Sequence, residues 1–213
     1  MAQKIAVIAA NGREGRLIVE EAVNRGLDVT AIVRGENKTV APHAIIKDAF
    51  DLTKDDPKGF DVVVNAFGTW TPETFDELPR EVAHVADLLA GTDTRFIVVG
   101  GAGSLLVESD GKKIALEDTP DFPDAFKGVS AAHGKALADL RTRDDVEWTY
   151  VSPAANFVAD GPRTGEYQLA GDDLTLNSNG ESEISYADYA IGIVDEIVTD
   201  HPHIRERISL VSK

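Results

Sequence analysis

Asn11, Gly12 and Gly15 stand between a run of apolar residues and a helical pattern. In a turn that feeds a helix, this spacing supports binding of a phosphate group. Gly12 lets the backbone approach phosphate oxygens. Gly15 lets the helix lie close to the strand. The free N–H groups of the helix start then face an anion. The full stretch, Lys4 to Arg34, reads strand, turn, helix, strand. Ile5, Ala6, Val7 and Ile8 suit a strand buried on both faces of a parallel sheet. Leu17, Ile18, Ala22 and Val23 recur at helical spacing, and Gly26 stops the helix. The unit predicts a dinucleotide pyrophosphate held at the turn. A glycine-bearing turn in a sheet protein that binds nothing is the plainer alternative. Three glycines would occupy positions 9, 12 and 15, but the first is Ala9. Alanine serves there if its φ stays negative.

Arg34 ends the second strand. Asp or Glu at that place grips the ribose 2′-hydroxyl of NAD, whereas a guanidinium pairs with a 2′-phosphate. Such a contact contributes about 1.5–3 kcal/mol. The reading is NADP(H) in preference to NAD(H), with Arg13 in the turn adding to the contact. A solvated surface arginine is the alternative.

These residues must be positioned by the rest of the chain. Ala44-Ile45-Ile46 reads as a third strand, followed by Asp48, a candidate for adenine contact or a turn residue. Phe60 to Ala66 is the next strand. Its end, with Ala66, Phe67 and Gly68, fits a loop crossing the cofactor. Pro79 suits a first helical turn. Val82, Val85, Ala86 and Leu89 form a stripe, with His84 off it and solvated. Arg95 to Gly100 runs as a strand into Gly101-Ala102-Gly103-Ser104. Ser104, just past a central strand, is the candidate catalytic hydroxyl, or a serine stabilising a glycine-rich turn. Residues 108–128 read as a long polar loop. Ser130 reads as the N-cap of a helix through Ala136, Leu137 and Leu140. Glu147 to Ser152 is a strand, followed by Pro153 at the active edge. Glu166–Ala170 and Leu174–Leu176 read as short strands. Ser185 or Asp188 caps a helix through Tyr189, Ile193 and Ile197, and Ile208–Val211 closes the chain. The expected architecture is a Rossmann-type doubly wound parallel α/β sheet with helices on both faces. It is one domain over 1–213, with a small substrate-covering part from 153–185.

The 213 residues carry a formal net charge of -16, which argues against general affinity for nucleic acid or anionic membrane. An anionic cofactor then needs a local cluster of cations, which Arg13, Arg16, Arg34 and Lys38 could supply. No cysteine is present, which excludes disulfides and thiolate chemistry. The start of the chain enters a strand without a signal-like segment and no apolar run reaches spanning length, so the expected location is cytoplasmic. His201 and His203 lack a third ligand in sequence, so no metal site is expected.

The segments AANGREG, IVR, KDAFD, VVVNAFG, VVGGAGSLLV, EWTYVSPAANF and ISYADYAIGIVDEI resemble an atypical short-chain dehydrogenase/reductase. The resemblance is to the NAD(P)H-binding, NADH-flavin reductase-like group related to biliverdin reductase B. It implies a nicotinamide-dependent oxidoreductase. The usual Tyr and Lys, four apart on one helix, are missing: Lys135 is present, but Ala131 stands where the Tyr would be. Alcohol–carbonyl acid/base chemistry is therefore unsupported. Hydride transfer from NADPH to a free flavin or a quinone-like acceptor needs orientation alone. Ser104 and the Pro153–Phe157 segment would shape that pocket. Phe67, Trp70 and Phe157 are candidates for ring contact or core packing, and His133 is a candidate substitute acid. A non-catalytic NADP(H) sensor and an NAD(P)-dependent isomerase or epimerase remain alternatives.

Overall fold

In the computed structural model, which describes residues 2–213, the chain builds one eight-stranded sheet with helices on both faces. The elements in order are β1 (Lys4–Ile8), α1 (Arg13–Asn24), β2 (Asp28–Val33), β3 (His43–Ile46), β4 (Val62–Asn65), α2 (Glu77–Leu89) and β5 (Arg95–Val99). Then come β6 (Leu106–Ser109), β7 (Lys112–Ala115), α3 (Asp124–Leu140), β8 (Glu147–Pro153), β9 (Asn156–Val158), β10 (Tyr167–Ala170), β11 (Glu183–Ser185), α4 (Tyr186–Val198) and β12 (Glu206–Ser212). The sheet order is β10-β12-β8-β5-β4-β1-β2-β3, parallel except for β10. The order reverses between β1 and β4, so the connections on either side leave a crevice there. This is a Rossmann-type α/β fold.

Strand alternation sorts the core into two layers. Ile5 and Val7 of β1 face α1 and α4, packing with Ile18, Val19, Ile193 and Ile197. Ala6 and Ile8 face α2 and α3, with Val82, Leu89, Leu137 and Leu140. Each of the valine, leucine and isoleucine side chains contributes about 1.5–3 kcal/mol when fully buried. Gly26 ends α1 at φ +79°, its N–H donating to the Val23 carbonyl. Ser185 caps α4, its Oγ accepting from Asp188 N at 3.0 Å.

The structure departs from these expectations in several places. Residues 108–128 are not an open loop: β6 and β7 form a hairpin, and α3 begins at Asp124. Ser130 is therefore inside the helix, not its cap. Leu174–Leu176 forms no strand, because only Asp173 bridges to Leu106. His84 is half-buried, its Nε2 at 3.1 Å from the Leu52 carbonyl. The 153–185 region divides, with β10 extending the main sheet and β9 pairing with β11.

His203 is engaged with Glu196. Its Nδ1 lies 2.8 Å from Glu196 Oε2, and its N–H donates to Oε1. Glu196 also holds Arg95 at 2.6 Å, and both side chains are largely buried. Removing one member of such a pair strands a buried charge. Glu196→Ala should lower unfolding free energy by about 3–5 kcal/mol, measured by denaturant titration. A loss below ~1 kcal/mol would fit an exposed pair and overturn this reading.

Candidate functional site

A cleft of about 1200 Å³ opens across the switch point. It exceeds the ~300–1,000 Å³ of a site for one drug-sized molecule. Its floor comes from the carboxyl ends of β1, β2, β4, β5 and β8, and one wall from the first half of α3.

The turn after β1 is shaped by close approach. A β-carbon on Gly15 would lie 2.6 Å from the Ala9 carbonyl oxygen and 2.9 Å from Ala10 Cα, so only glycine lets α1 sit this near β1. Gly12 N donates to the Ala9 carbonyl at 2.8 Å. A β-carbon on Gly12 would stand 3.1 Å from that same oxygen. No side chain caps α1, so the N–H groups of its first turn remain free for an anion in the cleft. Ala9 corrects an expectation: its φ is +56°, in the left-handed region. Alanine there costs roughly 1–2 kcal/mol, offset by the turn it closes.

Asn11 ties two loops together. Its Nδ2 donates to the Glu36 carbonyl and its Oδ1 accepts from Lys38 N, both at 2.8 Å. The segment after β2 is thus fixed to the phosphate turn. Arg34 lies on that segment, exposed, in the cleft, with no ion-pair partner among the described residues. Lys38 lines the cleft as well. Arg13 instead reaches Asp160 at 2.8 Å, and Arg16 Nε donates to the Asn11 carbonyl.

Asp48 both lines the cleft and caps the next turn, its Oδ1 accepting from Phe50 N at 3.0 Å. Ala66, Phe67, Gly68, Trp70, Pro153 and Phe157 all border the cleft. Phe157 packs on Tyr186 with ring centroids 4.0 Å apart, and Phe67 meets Phe50 edge-on at 6.3 Å. Trp70 is 69% exposed and Phe126, on α3, 50%, so both offer ring faces at the mouth.

Ser104 is not brought into the cleft lining. Its Oγ lies 3.4 Å from Arg207 Nη1, and Arg207 Nη2 reaches its carbonyl at 3.3 Å. A serine that does line the cleft is Ser130, whose hydroxyl donates to Glu117 Oε2. Gly103 allows this, since a β-carbon there would collide with Ser130 Oγ.

His133 lies in the cleft wall against Gly101, where a β-carbon would come within 2.9 Å of its ring. Its Nδ1 is 3.2 Å from Tyr150 Oη, which also accepts from Gly101 N at 3.1 Å. Burial lowers the His133 pKa to about 4, so the ring is neutral near pH 7. Burial pushes the Tyr150 hydroxyl well above its ordinary range. Lys135 points away, paired with Asp139 at 2.8 Å.

Two buried carboxyls lie close by, and sequence reasoning passed over both. Glu14, on the first turn of α1, has both oxygens buried without a hydrogen-bond partner. A charged residue between Gly12 and Gly15, where an anion is expected, was the available signal. Glu81 of α2 is fully buried beneath the β4 end. Its Oε2 accepts from Asn65 Nδ2 at 2.5 Å, and Asn65 Oδ1 accepts from Phe67 N. The pair holds the loop that carries Ala66 to Gly68.

The chain belongs to the NAD(P)H-binding family, whose model matches residues 9–199. It is 44% identical over 213 residues to the uncharacterized protein YwnB of Bacillus subtilis strain 168, covering 99% of both chains. It is 55% identical, over the whole of both chains and with TM-score 0.95, to a crystal structure from Streptococcus pneumoniae TIGR4 named "a putative NADH-flavin reductase". A "putative epimerase" from Bacteroides thetaiotaomicron is 32% identical over 100% of this chain and 98% of that one, with TM-score 0.84.

Burial raises the Glu81 pKa from 4.5 to about 8, with the charge of Asp48 adding to the rise. Between those pH values the folded state holds a proton that the unfolded state has released, so stability falls as pH rises. Glu81→Gln should therefore be as stable as the parent near pH 4.5 and more stable at pH 8, gaining up to ~1.4 kcal/mol per pH unit. Thermal melts across that window test it. A constant difference would show that Glu81 does not titrate there.

Proposed function

We propose that this NAD(P)H-binding protein is an atypical short-chain dehydrogenase/reductase that passes hydride from NADPH to a free flavin or a similar flat acceptor such as a quinone. The observation that carries the reading is the aromatic extension of the cleft. Trp70, Phe126 and Phe157 border its open part, and Lys135, the one lysine the dehydrogenase pattern would use, is turned away to Asp139. The first turn of α1, Gly12 and the unpaired Arg34 fit a dinucleotide, because they offer free N–H groups, close backbone approach and a free guanidinium.

When bound, the dinucleotide supplies the hydride, and the remaining proton comes from water. The protein binds, orients and excludes solvent. Arg34 selects for the 2′-phosphate. Ala66 to Gly68 and Pro153 to Phe157 would border the reacting ring. Neutral His133, fixed through Nδ1 by Tyr150, can offer Nε2 to a ring heteroatom without bringing charge.

The epimerase-named relative supports a second reading, an NAD(P)-dependent isomerase. It is weaker because a proton-transferring pair is needed and His133 and Tyr150 both resist ionisation. A non-catalytic sensor would bind cofactor without turnover.

Purified protein with NADPH or NADH, with and without FMN, riboflavin or a small quinone, should oxidise the nicotinamide at 340 nm only when an acceptor is present. Tight binding without turnover under any acceptor would overturn the reductase reading in favour of a sensor. Arg34→Glu should weaken NADPH binding roughly tenfold or more while leaving NADH unchanged or improved, by calorimetry. Equal loss for both nucleotides would remove Arg34 from the 2′-phosphate.

A further inference from the structure

Glu14 borders the cleft, and its carboxyl is buried behind the wall without a partner. It is 8% exposed, and neither oxygen has a hydrogen-bond donor. It occupies the second position of α1, between the turn residue Gly12 and the close-packed Gly15. The free N–H groups of that same turn are where a dinucleotide pyrophosphate would rest.

The surroundings offer no compensating charge. From α4, the hydroxyls of Tyr186 and Tyr189 lie near it, and both are pushed above the usual phenol range chiefly by burial. On its own helix Arg13 is the neighbouring cation, but its guanidinium is turned outward to Asp160 at 2.8 Å. Asp160 adds negative charge on the side of Tyr186. The Asn156–Phe157 segment that shares the cleft wall brings no charge. Burial raises the Glu14 pKa well above 4.5. An ionised Glu14 and a pyrophosphate would compete for one helix N-terminus, whose dipole is equivalent to only about half a positive charge.

We propose that Glu14 makes dinucleotide binding proton-linked: the cofactor is accepted while the Glu14 carboxyl is neutral and resisted once it ionises. The residue acts through its charge, not by contact, since its oxygens are sealed from solvent. A bound pyrophosphate then raises the proton affinity of Glu14 further, so binding takes up a proton whenever free Glu14 is partly ionised. The proposal rests on the reading that the pyrophosphate lies at the start of α1.

Calorimetric titration with NADH and NADPH between pH 6.5 and 9 tests it. NADH is included because it lacks the 2′-phosphate, which itself titrates near pH 6. The expected result is an NADH Kd that rises with pH, with a limiting slope of roughly tenfold per unit. The binding heat should also differ between buffers of different ionisation enthalpy in the manner of proton uptake. Glu14→Gln should flatten both responses and bind NADH more tightly than the parent at pH 9. A parent protein with pH-independent affinity and no proton uptake would overturn the proposal without any variant. An unchanged slope in a folded Glu14→Gln protein would do the same. If neither nucleotide binds at any pH, the reading of the cofactor site fails, and the proposal falls with it.

Discussion

A missing β-carbon sets the geometry of this protein. At Gly15 a methyl group would stand 2.6 Å from the Ala9 carbonyl oxygen. Its absence lets α1 descend onto β1, and that descent brings the first turn of α1 to the carboxyl edge of the sheet. The Ala9 carbonyl then accepts from Gly12 N, which fixes where the helix begins. Asn11, between them, reaches the loop after β2 and brings Arg34 to the same cleft. One steric allowance thus positions a turn, a helix end and a cation. Ala9 bears the strain of this arrangement in its positive φ.

Three buried titratable groups beside the cleft are held toward their neutral forms. His133, Glu14 and Glu81 are all pushed toward their neutral forms by burial. Arg34 and Lys38 lie at the end of the cleft nearest the turn after β1. The cleft therefore has a cation-bearing end suited to anions and an aromatic end, with Asp121 at its rim, suited to flat rings. That division needs no acid/base pair, in keeping with a chemistry where orientation is the main requirement.

Much of this was legible in the sequence. The βαβ start, the central strands β4, β5 and β8, and α4 with its Ser185 cap follow from apolar runs, helical spacing and a capping serine. Gly12 and Gly15 stand in the turn between β1 and α1, and Arg34 stands at the end of β2 beside the cleft, which are the positions their spacing suggested. The rest of the site was hidden for physical reasons. The first turns of α3, DAFKGVS, face the cleft and not the core, so their polar residues read as a loop. That hid Phe126, Ser130 and the wall they form. Ser104 looked well placed by chain position, but Arg207, arriving from β12, holds its hydroxyl elsewhere. The burial of Glu14 and Glu81 could not be read from composition, because only tertiary packing encloses them. The left-handed φ of Ala9 broke the rule that glycine marks such positions.

The cleft's unpaired cations sit within a strongly acidic molecule, whose net charge is -16. An approaching dinucleotide is anionic. Beyond a Debye length, about 10 Å at 0.1 M salt, it meets the repulsion of the whole surface. With the dinucleotide seated as proposed, Arg34 and Lys38 dominate only in the last stage of approach. Added salt therefore acts in two opposed ways. It lowers the long-range barrier and speeds arrival, and it weakens the final grip and speeds departure. On the proposed reading of the site, such a protein is suited to capture at short range and not to electrostatic steering.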